Sequence, residues 1–160
     1  MSLVDKKRMI DQLILHEGLR LTTYTDSTGN VTIGIGYNVS DRGWGDLERA
    51  IDRTVDKDKP KITKAEAILV CDHDIEMFEM FLRKWKIYPT LDQVRMRVVL
   101  DLAYNLGSVK LKEFVNTKKA IEAYNFGIAS DHLAKSKWAK QVKSRAVRLI
   151  KMLRTGIDYI

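Results

Sequence analysis

The sequence predicts an α+β fold that is mostly α-helical, with one small β-hairpin near the N-terminus. Apolar residues recur at helical spacing before residue 18 and through most of the second half of the chain. Between Leu21 and Ile35 the pattern changes to β-prone residues around a turn. At 160 residues with 45% hydrophobic content, the chain is long enough for one packed domain.

The first predicted element is an amphipathic helix over residues 4–17. Its apolar stripe is formed by residues three and four apart: Met9, Ile10, Leu13 and Ile14. Glu17 continues that stripe, and Gly18 suits the left-handed residue that ends a helix. Desolvation and the negative helix end would both raise the pKa of Glu17. A carboxyl group that is protonated near neutral pH can serve as a general acid.

The second element is a hairpin whose turn runs from Asp26 to Asn30. Because side chains alternate along a strand, Thr32, Gly34 and Gly36 share one face, which a bulky ligand could approach closely. Taken singly, a helix-end Glu is usually solvated, a hairpin Asp usually forms the turn, and a strand Thr is ordinary. Their combination around one hairpin indicates a site.

A long helix is predicted next, over about residues 61–88, between Pro60 and Pro89. Residues 89–160 contain further apolar stripes at helical spacing, which predict a helical lobe with a buried core. Cys71 lies in an apolar run of the long helix, so it is interpreted as a small core residue.

Charge is divided unevenly along the chain. Residues 1–80 hold 11 basic against 15 acidic residues, and residues 81–160 hold 17 against 6. From Lys135 to Arg154 there are eight basic residues and no acidic one. A solvated face is the ordinary interpretation of such a run, and binding of an anionic partner is the alternative. No nucleic-acid-binding motif or aromatic platform accompanies it, so dedicated nucleic-acid binding is not expected.

No cofactor or metal is expected. His16, His73 and His132 are far apart in sequence, and Asp72 and Asp74 beside His73 would point in different directions on a helix. The sequence also lacks a glycine-rich phosphate loop and a serine nucleophile elbow.

The spacing of Glu17, Asp26 and Thr32, followed by Ile-Gly-Ile-Gly, resembles the catalytic signature of phage-type lysozymes, the T4 lysozyme family. Glu17 and Asp26 are separated by eight residues, and Asp26 and Thr32 by five. Further segments that resemble the family occur in order along the chain: residues 62–67, 133–138, 144–146 and 153–156.

The resemblance implies a muramidase that hydrolyses the β-1,4 bond between N-acetylmuramic acid and N-acetylglucosamine of bacterial peptidoglycan, with inversion. Glu17 would be the general acid, and Asp26 with Thr32 would position or activate the attacking water. An inverting enzyme needs roughly 6.5 to 9.5 Å between its carboxyl groups to admit that water. Arg145 would pair with Glu17 and orient it, and its charge would oppose the rise in the pKa of Glu17.

The resemblance also implies one lysozyme domain over residues 1–160. A hairpin lobe of about residues 15–60 and a helical lobe of about 89–160, which includes the N-terminal helix, would be joined by the long helix. The substrate contacts that it implies are Gly34 and Gly36 on one wall of the cleft, and Tyr104, Asn105 and Trp138 on the other. For Trp138, packing against the C-terminal helix is an equally good interpretation.

The sequence departs from the family's pattern at Tyr37, where His is frequent. The proposed acid and base are unaffected. An ion pair from this position to the acidic helix near Asp72 and Asp74 is then in doubt, so the hairpin is expected to be anchored differently. A Tyr hydroxyl can still donate one hydrogen bond.

No long apolar stretch is present at the N-terminus, so neither a secretory signal nor a membrane anchor is expected. By resemblance to endolysins, the protein would stay in the bacterial host cytoplasm as a monomer until a phage holin gives it access to the wall. Two alternatives stay open. One is a lytic transglycosylase that cuts the same bond, and the other is a wall-binding protein without activity.

Overall fold

A computed structural model describes all 160 residues. It contains nine α-helices and one three-stranded antiparallel sheet, which confirms the predicted α+β class. The strands are β1 Arg20–Thr25, β2 Val31–Gly34 and β3 Tyr37–Asn38. The helices are α1 Lys6–Glu17, α2 Val39–Arg42, α3 Gly45–Ile51, α4 Lys64–Leu82, α5 Gln93–Leu111, α6 Val115–Glu122, α7 Phe126–Ala134, α8 Lys137–Val142 and α9 Ser144–Thr155.

The chain divides into two compact units. The hairpin unit is Lys6–Glu76, and the helical unit is Met1–Asp5 together with Met77–Ile160. Helix α1 therefore groups with the hairpin, whereas the family resemblance places it with the helical lobe. The boundary between the units falls within α4.

The sheet of the hairpin unit has the order β1-β2-β3. Thr32 pairs with Tyr24 on one side and with Asn38 on the other. The short strand β3 was not predicted. It forms because Gly34 and Gly36, at φ 69° and 70°, turn the chain back after β2. A small apolar core packs beneath, made of Ile33, Tyr37, Leu47, Val55, Ile62, Ala67 and Val70.

Helix α4 is shorter at both ends than the predicted range of residues 61–88. At its start, the Thr63 hydroxyl accepts a bond from the Glu66 N–H, and the Glu66 carboxylate accepts one from the Thr63 N–H. This reciprocal pair is a capping box, which fixes the first helical turn. After Leu82 the chain makes tight turns instead, and a 3-10 turn is found at Tyr88–Thr90.

The helical unit contains a buried acid that was not predicted from the sequence. Glu79 is 1% exposed. Its carboxylate accepts hydrogen bonds from the Ser2 hydroxyl at 2.6 Å, the Leu3 and Val4 N–H groups at 2.7 and 3.0 Å, and the Tyr88 hydroxyl at 2.7 Å. The carboxylate therefore fastens the first residues of the chain to α4.

Helix α5 is kinked at Gly107, where φ is 78° and ψ is 162°. A residue with these angles cannot continue a regular helix, so the last turn of α5 takes a new direction after Gly107. None of the helices combines the length and the apolar content that crossing a bilayer requires.

Candidate active site

Glu17 is the last residue of α1 and is partly buried. The helix ends there because Gly18 adopts φ 78° and donates its N–H to the Ile14 carbonyl at 2.9 Å. Gly36 lies directly against the carboxyl group, since a Cβ at position 36 would stand 2.7 Å from Glu17 Oε2. Only glycine leaves room for the acid in this position.

Asp26 begins the hairpin turn and holds it closed. Its Oδ1 accepts bonds from the Thr28 N–H at 2.9 Å, the Thr28 hydroxyl at 2.7 Å and the Asn30 N–H at 2.9 Å. These bonds, the Thr28 hydroxyl first, lower the pKa of Asp26 below its usual value. The turn therefore favours the ionised form of this carboxylate.

Thr32 lies on the central strand β2 and is 5% exposed. Its hydroxyl donates to the Tyr24 carbonyl at 3.3 Å, which is a long bond. Asp26 and Thr32 thus stand at the turn end of one hairpin, and Glu17 belongs to the same compact unit.

The two glycines after Thr32 have different surroundings, and the predicted strand alternation does not continue through them. Gly34 is buried, and a Cβ there would meet Ile62 Cδ1 at 3.4 Å and Ala67 Cβ at 3.7 Å. Gly34 therefore packs on the core of the hairpin unit. Gly36 is the glycine that borders the acid.

Tyr37 is anchored through an arginine that was not predicted from the sequence. Its hydroxyl donates to the Gly43 carbonyl at 2.9 Å, and the Arg42 guanidinium lies 4.4 Å from the centre of its ring. Arg42 also forms a two-pronged ion pair with the buried Asp74, with N···O distances of 2.7 and 2.9 Å. Arg42 of α2 therefore connects Tyr37, at the end of the sheet, to Asp74 on α4.

Arg145 is 7% exposed, as its place near the apolar stripe of α9 predicts. Within the helical unit its Nε and Nη2 both donate to Asp101 Oδ1, at 2.9 and 2.6 Å. Asp101 is fully buried on α5. This acid was not predicted from the sequence, although an Asp inside an apolar helix signals a buried partner.

The three other candidate contacts lie close together in the helical unit. The Trp138 indole N–H donates to Asn105 Oδ1 at 2.7 Å, and the ring is 4% exposed. Packing thus accounts for Trp138 better than sugar stacking does. Asn105 is exposed, and the partly buried Tyr104 ring lies 5.8 Å from the Phe78 ring.

The structure groups no three or more His, Cys, Asp or Glu side chains in a way that could hold a metal ion. Cys71 is 1% exposed, as a core residue should be. Lys140 on α8, Lys143 between α8 and α9, and Lys151 on α9 are all exposed, so these lysines of the basic run form a charged surface.

Comparison with known proteins gives the chain a family. The family model described as phage lysozyme matches residues 15–153. Two Dictyostelium discoideum proteins named probable T4-type lysozyme 2 and 1 are 29% and 27% identical, each over 91% of this chain and 93% of the relative. The pre-baseplate central spike protein Gp5 of Enterobacteria phage T4 is 24% identical over 92% of this chain, which spans 28% of that protein.

The fold and the family match together indicate a lysozyme-like hydrolase of peptidoglycan. The chain belongs to the phage lysozyme family. The match begins two residues before Glu17 and includes Asp26 and Thr32.

Proposed function

We propose that this protein is a muramidase that hydrolyses the β-1,4 bond between N-acetylmuramic acid and N-acetylglucosamine in peptidoglycan, with inversion at the anomeric carbon. The observation that carries the proposal is the contact between Gly36 and the Glu17 carboxyl group. The absence of a side chain at position 36 makes room for the Glu17 carboxyl group beside a hairpin that also bears Asp26 and Thr32. This arrangement favours a catalytic role for Glu17 over that of an ordinary surface residue.

The two carboxyl groups have environments suited to different tasks. Glu17 is partly buried at the end of a helix, where we assign it the role of general acid that protonates the leaving oxygen. Asp26 is held ionised by the turn, so it suits the opposite role of orienting and activating the attacking water. The Thr32 hydroxyl would give that water a second partner, because its present bond to Tyr24 is long.

The remaining site residues enter as proposals from the family resemblance. Arg145 is assigned to orient the acid, and its bonds to Asp101 hold the guanidinium in one position. Asn105 and Tyr104 are assigned to the sugar and its N-acetyl group. Trp138 would act by fixing the Asn105 side chain.

The biological setting is proposed from the same resemblance. We propose an endolysin that lyses a bacterial host at the end of phage infection, reaching the wall from the cytoplasm with the help of a holin. The exposed basic run on α8 and α9 would hold the protein on the anionic wall.

Digestion of purified peptidoglycan by the parental protein, Glu17→Gln and Asp26→Asn, with mass analysis of the products, tests this function. Muropeptides with reducing ends are expected from the parental protein. Glu17→Gln should lose at least about a hundredfold in rate, the range expected for removal of a general acid. Circular dichroism of each variant checks that it is folded.

Other outcomes would select the alternatives. Anhydro products would make the protein a lytic transglycosylase, and such enzymes can work with a single acid, so Asp26→Asn would then stay active. Wall binding without any release of muropeptides, unchanged in Asp26→Asn, would indicate a binding protein that has kept the fold.

A further inference from the structure

The helical unit contains a cavity of about 660 Å³ that has no part in the proposed reaction. It lies among the end of α4, the middle and end of α5, and α6. Its interior is apolar, with side chains that include Leu82, Val99, Leu102 and Ile121. Small-molecule sites in proteins usually have volumes of roughly 300 to 1,000 Å³. The cavity is therefore large enough for one small ligand.

The mouth of this cavity is basic. Four exposed lysines line it, namely Lys84, Lys86, Lys112 and Lys118. Glu122 is the one acid in the lining, and its carboxylate accepts the Trp85 indole N–H at 2.7 Å. The opening therefore has an excess of positive charge.

Two of these lysines are held by aromatic rings at the mouth. The Lys112 ammonium lies 5.8 Å from the centre of the Phe81 ring, and the Lys118 ammonium 5.6 Å from that of Trp85. Cation–π contacts keep both charges beside the opening instead of leaving them extended in solvent. An apolar interior under a basic mouth suits a molecule with one apolar chain and one anionic head.

We propose that this cavity binds a long-chain carboxylate, with the alkyl chain inside and the carboxylate between Lys112 and Lys118. The alkyl chain would displace water from the apolar walls of the cavity, and each buried methylene group should increase the affinity about fourfold. The carboxylate would remain near the surface, where paired lysines can meet it without being buried. Glu17, Asp26 and Thr32 do not line this cavity, so a Glu17→Gln variant should bind the carboxylate as well.

Titration calorimetry with laurate below its micelle concentration tests the site. One molecule should bind per chain, and decanoate, two methylenes shorter, should bind about tenfold or more weaker. Leu111→Trp, in which a partly exposed lining residue is enlarged into the cavity, should weaken binding. The matched control is Val109→Trp on the same helix, because Val109 is 76% exposed and does not line the cavity.

Charge reversal tests the mouth. Lys112→Glu with Lys118→Glu should weaken laurate binding about tenfold, as expected for the loss of two exposed ion pairs. Lys110→Glu with Lys119→Glu makes the same change of charge on α5 and α6 without touching the cavity, and should change the affinity far less. Binding of dodecanol in place of laurate should be insensitive to both pairs.

Two results would overturn the proposal. The first is no binding of monomeric laurate by the parental protein. If phosphatidylglycerol vesicles still bind in that case, with equal strength in both tryptophan variants, the charge belongs to a membrane surface and the cavity has no role. The second is equal binding of laurate by Leu111→Trp and Val109→Trp, which would mean adsorption to the basic surface.

Discussion

The proposed acid and base of the hairpin unit are held differently from the buried acids of the helical unit. In the hairpin unit, Asp26 is fixed by residues two and four positions later, and Glu17 is positioned by a helix end and one glycine. In the helical unit, Asp101 binds Arg145 from 44 residues away, and Glu79 binds Ser2 from 77 away. Local bonds position the proposed base, Asp26, whereas long-range bonds hold the buried acids of the helical unit.

The two units also differ in net charge. The hairpin unit has 11 basic against 13 acidic residues, a net of −2, and the helical unit has 17 against 8, a net of +9. The proposed acid and base therefore lie in the nearly neutral unit, and attraction to an anionic wall would come from the other. Substitutions in each unit can test whether this division of roles is real.

The largest effect is expected at Gly36. In Gly36→Ala the new Cβ would stand 2.7 Å from Glu17 Oε2, so the carboxyl group must move. Muramidase activity should fall at least about a hundredfold, as for loss of the acid itself. Gly43→Ala is the matched control, because Gly43 has the same φ of 70° with nothing within 4 Å. Both variants place an alanine at a positive φ, so an equal loss of activity in the two would show that the contact with Glu17 does not matter.

The second effect is on stability and tests the buried pair of the helical unit. Asp101→Asn removes the carboxylate from the buried pair with Arg145, which should lower the free energy of unfolding by about 3 to 5 kcal/mol. Urea unfolding measures this change in the free energy of unfolding. Asp131→Asn, which breaks the exposed pair with Arg154, should leave the midpoint nearly unchanged. A small change in Asp101→Asn would show that the pair adds little to the fold.

A smaller effect is expected at Glu79, and it depends on pH. Burial acts to raise the pKa of Glu79, but the hydrogen bonds from Ser2, Tyr88 and two backbone N–H groups outweigh it and lower the pKa below the ordinary 4.5. The charged form is favoured by folding, so this stabilisation is complete above the ordinary pKa and is lost as pH falls through the folded value.

Glu79→Gln should therefore lower the free energy of unfolding by about 2 kcal/mol at neutral pH and by less near about pH 3. Urea unfolding at the two pH values checks this difference. Glu113→Gln, an exposed substitution in the same unit, serves as the control. An equal loss in the free energy of unfolding at both pH values would mean that the charge of Glu79 does not contribute to stability.

The smallest effect concerns the basic run. Reversing the exposed lysines at 140, 143 and 151 to Glu should weaken binding to purified walls at low salt, with little effect at high salt, where surface charges are screened. The matched control reverses Lys59, Lys61 and Lys64 of the hairpin unit, all of them exposed. Co-sedimentation over a range of salt concentrations measures both. Equal loss in the two variants would mean that net charge, not the α8 and α9 face, decides binding.

The features that were predictable from the sequence are the local ones. The end of α1 at Gly18 and the turn at Asp26 depend on residues close in sequence, and both were predicted. The strand β3 was missed because its two residues carry no pattern of their own and depend on the positive φ of Gly34 and Gly36.

The partners of Arg145 and Tyr37 needed the fold. Nothing in the spacing of Asp101 and Arg145 marks them as a pair, and only the packing of α5 and α9 brings them together. Tyr37 was expected to be anchored differently from a His, but the arginine that anchors it, Arg42, could not be chosen among 28 basic residues. Ion pairs between distant residues are properties of the topology, which the local pattern does not contain.

The buried position of Cys71 has a practical consequence. With one cysteine in the sequence, and that one 1% exposed, maleimide reagents should label an introduced surface cysteine selectively. One such position on the hairpin and another on α7 would carry a pair of spin labels or fluorophores, one in each unit. The protein is thus already suited to distance spectroscopy, which can follow the two units during turnover without first removing a native thiol.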